Sequence, residues 1–367
     1  MSTLNVNALN VTEKLKLPTF TTAERDAIQN PETGTLVYNS TDDEVQIYNG
    51  TEWGAAAGVQ LQTFSKTFNY TGQIQTFNIP AETTEVTAYI WGPGGGAEGD
   101  TNTRGGAGGF TQGTINTTNG GQLKIVVGGA GGPGRQNNGS GGGYSGVFTS
   151  SWGGTSASTD HAASILIAGG GGGSGNSSSG SVHGGGGGGG LNGQKGNPSG
   201  SGGNGGGQTS GGSYVQSGGG SCTGGTQCSG TTLRGGVACG GGQGTGGIGW
   251  PGTIYGGVWG SAAGGNGCNA GGGGAGYYGG AGGGGSPNGG NGGGGSGYVG
   301  GHPSYPVSNT NTYTADGSVV PSEGTANQFY SSGIAQGGTN GADAGAGQHY
   351  GGHGMVVIVY DAEQAVL

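Results

Sequence analysis

Of the 367 residues, 106 are glycine, 7% are charged and 29% are hydrophobic, and the formal net charge is −9. Ordinary domains carry about 7% glycine, about 25% charged and about 45–50% apolar residues, so an enzyme built round one large aliphatic core is excluded. A membrane-spanning helix is excluded because no run of about 18 apolar residues occurs, and collagen because the glycines come in unbroken blocks such as 184–190, with only 11 prolines.

A flexible Gly/Ser linker is the other reading of this composition. Disordered chains usually carry high net charge per residue, which this one lacks, so the glycines are expected to be ordered. Nucleic acid is not an expected partner. The chain has nine Lys and Arg, and beyond Lys124 only Arg135, Lys195 and Arg234, so no basic stripe can form over the glycine-rich part. The segment Met1 to Asn7 has neither a basic nor an apolar signal region, so no secretory signal is expected.

Residues 1–57 are the most densely charged part, with 11 of the 27 charged residues. Thr3–Asn7 and Glu13–Leu17 alternate apolar and polar residues and predict short extended segments. Thr21-x-x-Glu24 reads as a capping box opening a helix to about Ile28, stopped near Pro31. Gly34–Asn39 and Glu44–Asn49 read as strands joined by the polar turn 40–43, and Asn49-Gly50 turns the chain again before Trp53. So small a module with so few large apolar groups is expected to trimerise or dock.

From residue 58 the chain reads as a single all-β domain. Strands are predicted at Gln60–Tyr70, Gln75–Ile79, Glu85–Trp91, Gly109–Ile115, Gln122–Val127, Tyr144–Thr149 and Ser164–Ile167, each closed by Gly, Pro or Asn as in an antiparallel sandwich. Gly354–Tyr360 is the most apolar strand and closes the sandwich, which makes about 169–350 one glycine-rich insertion. Polyglycine has no side chain to bury, yet each residue keeps one N–H and one C=O to satisfy. Threefold extended helices packed side by side can bond to neighbours on all sides, and the missing Cβ permits the close approach. Gly187 is expected to be such an interior position, whereas Ser140, in a mixed run, is expected to tolerate change.

The order Thr76–Pro80, Val86–Gly92, Gly106–Phe110, Leu123–Gly129, Gly143–Gly146 and Ile165–Gly170 resembles the glycine-rich domain of the anaplastic-lymphoma-kinase receptor ectodomain and of many phage fibre proteins. The resemblance covers about residues 60–360, and between Ser199 and Tyr350 only composition matches. It implies a TNF-like antiparallel β-sandwich carrying a lattice of polyglycine II helices. In related tail-fibre tip adhesins of phages, loops at the end of such a lattice contact the host receptor. Leu17–Ile28, Gly34–Asn39 and Tyr48–Trp53 are similar to a short assembly module of phage and large-DNA-virus structural proteins. Together these resemblances imply a virion fibre.

No catalytic constellation stands out. The many Gly-x-Gly-x-x-Gly matches lack strand–turn–helix context, and no Gly-Lys-Ser/Thr follows them. His161, His183, His302, His349 and His353 lack metal spacing with cysteine, and no metal or cofactor is expected. Asp160, Asp316, Glu323 and Asp343 stand apart in sequence, which leaves a glycan-degrading fibre as a minor alternative. Cys222, Cys228, Cys239 and Cys268 allow three pairings. Cys222 with Cys228 would close a short loop and leave Cys239 with Cys268; free thiols are the alternative.

The expected protein is therefore a non-enzymatic homotrimeric fibre on the surface of a virus particle, joined to other virion proteins through residues 1–57 and without membrane insertion. A phage tail fibre is the first reading and an architectural head or collar fibre the alternative. Its expected partner is a host-surface glycan or outer-membrane protein. The insertion carries aromatics where aliphatic core is scarce, Tyr277, Tyr278, Tyr298 and Tyr350 among them, and each either seals the lattice or binds. Those in the two segments where glycine runs break are the binding candidates: Tyr214, Trp250, Tyr255, Trp259, Tyr305, Tyr313, Phe329 and Tyr330.

Overall fold

The computed structural model describes residues 17–56, 60–97, 103–132, 139–153, 157–175, 183–196, 202–213, 229, 231–235, 270–284, 290–339 and 350–364. The chain forms two compact units, Met1–Gln62 with Glu363–Leu367, and Thr63–Ala362. The expected extended segments at Thr3–Asn7 and Glu13–Leu17 lie wholly or almost wholly outside the described residues.

In the first unit, β1 (Thr19–Phe20), β2 (Leu36–Asn39), β3 (Glu44–Tyr48) and β4 (Trp53–Ala55) form one sheet in that order, with β1 parallel to β2 and the other pairs antiparallel. The capping box is present. Glu24 N–H donates to the Thr21 hydroxyl at 3.3 Å, and Thr21 N–H donates to the Glu24 carboxylate at 2.8 Å, opening α1 (Thr22–Asp26). The Thr21 N–H and the Thr21 hydroxyl, which donates to the same carboxylate oxygen at 2.9 Å, hold the Glu24 carboxyl below its ordinary pKa. The interior beneath α1 combines one buried aliphatic residue, Val37, with polar side chains. Asn39 Nδ2 donates to Asp42 at 2.7 Å and to Gln46 Oε1 at 3.0 Å, and Arg25 also donates to Gln46 Oε1.

The second unit contains the sandwich. One sheet runs β12 (Ser164–Ala168), β11 (Ser145–Thr149), β10 (Gln122–Val126), β6 (Gln75–Asn78). The other runs β14 (Val307–Tyr313), β9 (Phe110–Asn116), β7 (Glu85–Trp91), β15 (Met355–Gln364), β5 (Gln60–Asn69). A two-stranded parallel pair, β8 (Thr103–Arg104) with β13 (His183–Gly184), and the short helices α2 (Ala157–Ala162) and α3 (Ser322–Thr325) complete the elements. The fold is the expected all-β, antiparallel sandwich.

Three apolar clusters explain its strand patterns. Between the sheets pack Phe77, Leu123, Ile125 and Val147 from one and Val86, Ile90, Ile115, Val356 and Ile358 from the other. The outer face of the first sheet packs Val126, Phe148 and Ile167 with Trp152, and that of the second packs Trp91, Phe110, Met355 and Val357. Successive residues of β15 thus enter different clusters, so a strand buried on both faces is a continuous apolar run rather than an alternating one. Residues 307–313, placed by sequence inside the glycine-rich insertion, return as an edge strand of the second sheet, with Val307 opposite Ile115 and Tyr313 opposite Phe110.

The glycine-rich segments pack by backbone alone. Gly170, Gly171 and Gly172 N–H donate to the carbonyls of Ala275, Pro93 and Gly186 at 2.8, 3.0 and 2.8 Å. Gly173 and Ser174 then return to the first two neighbours, at Gly272 and Gly96. Residues 105–109 repeat the pattern, with donors to Gly338, Gly172, Gly317, Ala335 and Gly169. Each rod therefore bonds to three neighbours with a three-residue period, and parallel and antiparallel neighbours mix. A Cβ on Gly172 would lie 2.2 Å from Gly292 O, and one on Gly187 would lie 2.1 Å from Ala315 O. The lattice also takes in 92–96, 105–109 and 139–143, from loops between sandwich strands. Ser140 corrects the expectation of tolerance: it is buried, and its hydroxyl accepts from Gly132 N–H at 2.8 Å and donates to Gly132 O at 3.0 Å.

Candidate functional site

The segment after β14 leaves the sandwich and builds a groove on lattice supports. Thr314 donates to Gly189 O at 3.3 Å, and Ala315 N–H donates to Gly188 O at 3.0 Å. Asp316 and Val319 then close a tight turn through reciprocal backbone bonds of 3.1 and 3.0 Å, with Gly317 at φ +54°. A left-handed backbone there favours glycine. Gln194, from a neighbouring lattice segment, braces the turn: its Oε1 accepts from Gly317 N–H at 2.9 Å and its Nε2 donates to Asp316 at 3.4 Å.

Pro321 sets the entry to α3, which rests on the outer face of the second sheet. Trp91 Nε1 donates to Gly324 O at 3.2 Å, and a Cβ on Gly324 would stand 3.1 Å from Phe110 Cβ and from Trp91 Nε1. Beyond α3, Asn327 accepts from Phe329 N–H at 3.0 Å, and the Tyr330 hydroxyl donates to Ile334 O at 3.3 Å. The chain re-enters the lattice at Gly338, whose N–H donates to Gly95 O at 2.8 Å.

The resulting groove has a volume of about 730 Å³. Tyr313 and Tyr330 supply ring faces, Val319 and Pro321 apolar edges, and Arg104, Asp316 and Glu323 both signs of charge. Hydroxyls of Thr314, Ser318, Ser322, Thr325 and Thr339 fill the rest of the wall with Gln336. Val319, at the turn, is 63% exposed beside it. Rings, hydroxyls and side chains of both charges on a braced wall suit a polar, polyhydroxylated ligand.

Of the aromatics picked from sequence, the structure brings Tyr313 and Tyr330 to this groove. Tyr313 also stacks on Phe110 at 6.1 Å between centroids, and Tyr330 stands 6.4 Å from Trp91. Phe329 packs on Tyr89 at 5.7 Å and belongs to the same cluster without lining the groove. Tyr305 is buried in the inter-sheet core, its hydroxyl donating to Gly120 O at 3.0 Å. Tyr214, Trp250, Tyr255 and Trp259, and with them Cys222, Cys228, Cys239 and Cys268, lie outside the described residues. Sequence reasoning missed Arg104 altogether; nothing near it in the chain marks a binding residue.

A second aromatic group seals the other flank of the sandwich. His161 stacks on Tyr277 at 3.9 Å, Tyr277 stacks on Tyr298 at 4.0 Å, and Tyr278 meets His161 edge-on at 5.1 Å. Burial pushes the Tyr277 hydroxyl up to about 12, with Tyr298 and Tyr278 adding to it, and burial lowers the pKa of His161. Among the described residues, His161 Nε2 and Trp152 Nε1 are buried without a hydrogen-bond partner. These rings pack against one another.

Residues 1–70 match the family model of the phage tail-like trimerisation region. No curated protein matches the chain. The match supports a virion-associated protein of phage-tail type that assembles as a homotrimer.

Proposed function

We propose that this protein is a phage tail fibre whose N-terminal module joins it to other virion proteins and whose lattice-mounted groove binds a host-surface saccharide. The observation that carries the reading is the conjunction of a match to a tail-like trimerisation region at residues 1–70 with a braced groove beside Tyr313 and Tyr330. A glycine lattice offers a partner few side chains, because its backbone groups are consumed by neighbours. Recognition then falls to segments that leave it, and the segment between β14 and Gly338 is one. The three-residue donor period supports reading the lattice as polyglycine II packing, and the sandwich as the TNF-like scaffold of a glycine-rich adhesin. Binding, not catalysis, is the activity assigned.

Val319→Arg and Glu323→Arg change exposed side chains at the groove without touching the core beneath. Particles carrying either should adsorb to host cells about tenfold more weakly, equivalent to ~1.4 kcal/mol, with unchanged melting temperature, and isolated host polysaccharide should compete with the unaltered protein. Unchanged adsorption would favour an architectural head or collar fibre. Release of reducing ends from that polysaccharide would favour a glycan-degrading one.

A further inference from the structure

The N-terminal sheet is inverted relative to a sheet that is stable as a monomer. On β2 and β3 the positions facing α1 include Asn39 and Gln46, 0% and 4% exposed, with Val37 the buried aliphatic residue among them, while Leu36 and Val45 on the opposite face are 39% and 36% exposed. Register places these apolar residues together: Leu36 pairs with Ile47 and Tyr38 with Val45, and all four alternate with the residues beneath α1. Thr19 pairs with Tyr38 and Gly54 with Ile47, extending the same face across β1 and β4. The face thus crosses four strands, and none of its described residues is charged.

The module's charge lies elsewhere. Glu24, Arg25 and Asp26 sit on or beside α1, Asp42 and Asp43 on the β2–β3 turn, and Glu44 accepts from Gln46 on the α1 side. The Tyr38 hydroxyl donates to Asp43, which gives the face a polar rim. A half-buried antiparallel sheet normally turns its apolar face inward. Here the interior holds one aliphatic side chain, Val37, and its polar groups are satisfied by Thr22, Arg25, Asp42 and Gln46, so Leu36, Val45 and Ile47 are left to find a partner outside the fold.

We propose that the face formed by Leu36, Tyr38, Val45 and Ile47 is the contact between three copies of this chain. The occupant is a second and third copy because these residues fall within the matched trimerisation region, and because the face is uncharged. Around a threefold axis each residue near the axis meets its own copies, so any charge there would repel itself. An uncharged patch with a polar rim is the pattern that symmetric contacts use. This rests on the homotrimeric part of the reading above and is independent of the groove.

The test uses the full-length protein. Light scattering should report a trimer, and Leu36→Glu and Val45→Glu should each convert it to monomer with the far-ultraviolet circular dichroism unchanged, since both side chains are exposed in one copy. Asp26→Lys, on the opposite side, should leave the trimer intact. A photo-cross-linking residue at position 45 should give covalent dimers and trimers, and one at position 24 should not. If the unaltered chain is monomeric, the homotrimeric reading itself falls. If it is trimeric and stays so in both glutamate variants, or if position 45 cross-links only within its own chain, the assignment of this face is overturned while the trimer stands.

Discussion

Two stretches joined by one peptide bond show two ways of ordering a chain. In β12, Ser164–Ala168, every side chain is buried, and Ile165 and Ile167 enter apolar clusters on opposite faces of their sheet. From Gly169 onward side chains all but vanish, and Gly170 to Ser174 are held by N–H groups donating in turn to three neighbouring rods. The first stretch is stabilised mainly by removing hydrocarbon from water, the second by bonds that leave no donor idle and by close contact that only hydrogen permits. What differs is where specificity resides. A strand states its partners in its side chains; a glycine rod states only that nothing larger fits.

The largest expected effect breaks the second mechanism. Gly187→Val places Cβ at 2.1 Å from Ala315 O, a backbone atom with no rotamer to yield. The rods must separate and several bonds of ~1 kcal/mol each are lost, so the purified variant should melt far below the unaltered protein or fail to fold. Gly184→Ala is the contrast, because its Cβ would meet Arg104 O at 3.6 Å, an ordinary contact. That change should stay within about 0.5 kcal/mol in denaturant titration. Equal losses at 184 and 187 would remove close packing as the explanation.

The sandwich should fail differently. Ile90→Ala empties a wholly buried position between the sheets and should cost about 2–5 kcal/mol. Calorimetry sharpens the distinction, because heat-capacity change on unfolding tracks exposed apolar surface. A chain whose order is so largely glycine lattice should unfold with a change per residue below the usual ~12–15 cal/mol/K. A value within that range would mean that hydrocarbon burial contributes more than the backbone geometry allows.

How much could be read beforehand follows from the same contrast. Alternation in Glu85–Trp91 and the apolar run of Gly354–Tyr360 announce strands because their side chains must reach specific clusters, and Thr21-x-x-Glu24 announces its helix because capping is local. β14 escaped, since Val307–Tyr313 is an edge strand rich in Ser, Asn and Thr whose order comes from β9 and from contacts such as Thr111 with Thr312 at 2.8 Å. Which rods adjoin is illegible, because glycines carry no label. The groove was half legible: Tyr313 and Tyr330 stand out where glycine thins, but Arg104 is brought there by pairing with Thr339. In the N-terminal module alternation revealed the strands but not that their apolar face would be the exposed one.

The smallest effect concerns the seam where the two mechanisms meet. His161 lies against Tyr277 and Tyr278, its Nε2 buried without a hydrogen-bond partner among the described residues, and burial lowers its pKa from the ordinary 6.5. The unfolded chain therefore takes up this proton at a higher pH than the folded one. By linkage, the neutral imidazole favours the folded state fully above about 6.5, and that contribution declines as the pH falls towards the lowered folded value. His353, stacked on Tyr70 at 4.3 Å and accepting from Ala130 N–H at 3.0 Å, shifts in the same direction through burial. Melting temperature should accordingly fall on acidification below about 6.5, and His161→Gln with His353→Gln should flatten that dependence. Sandwich and lattice share this seam through Ile167, whose N–H donates to Tyr298 O and whose carbonyl accepts from Tyr298 N–H, each at 2.9 Å. Protonation at His161 should therefore loosen both together, and separate melting of the two regions in acid would show instead that each is held independently.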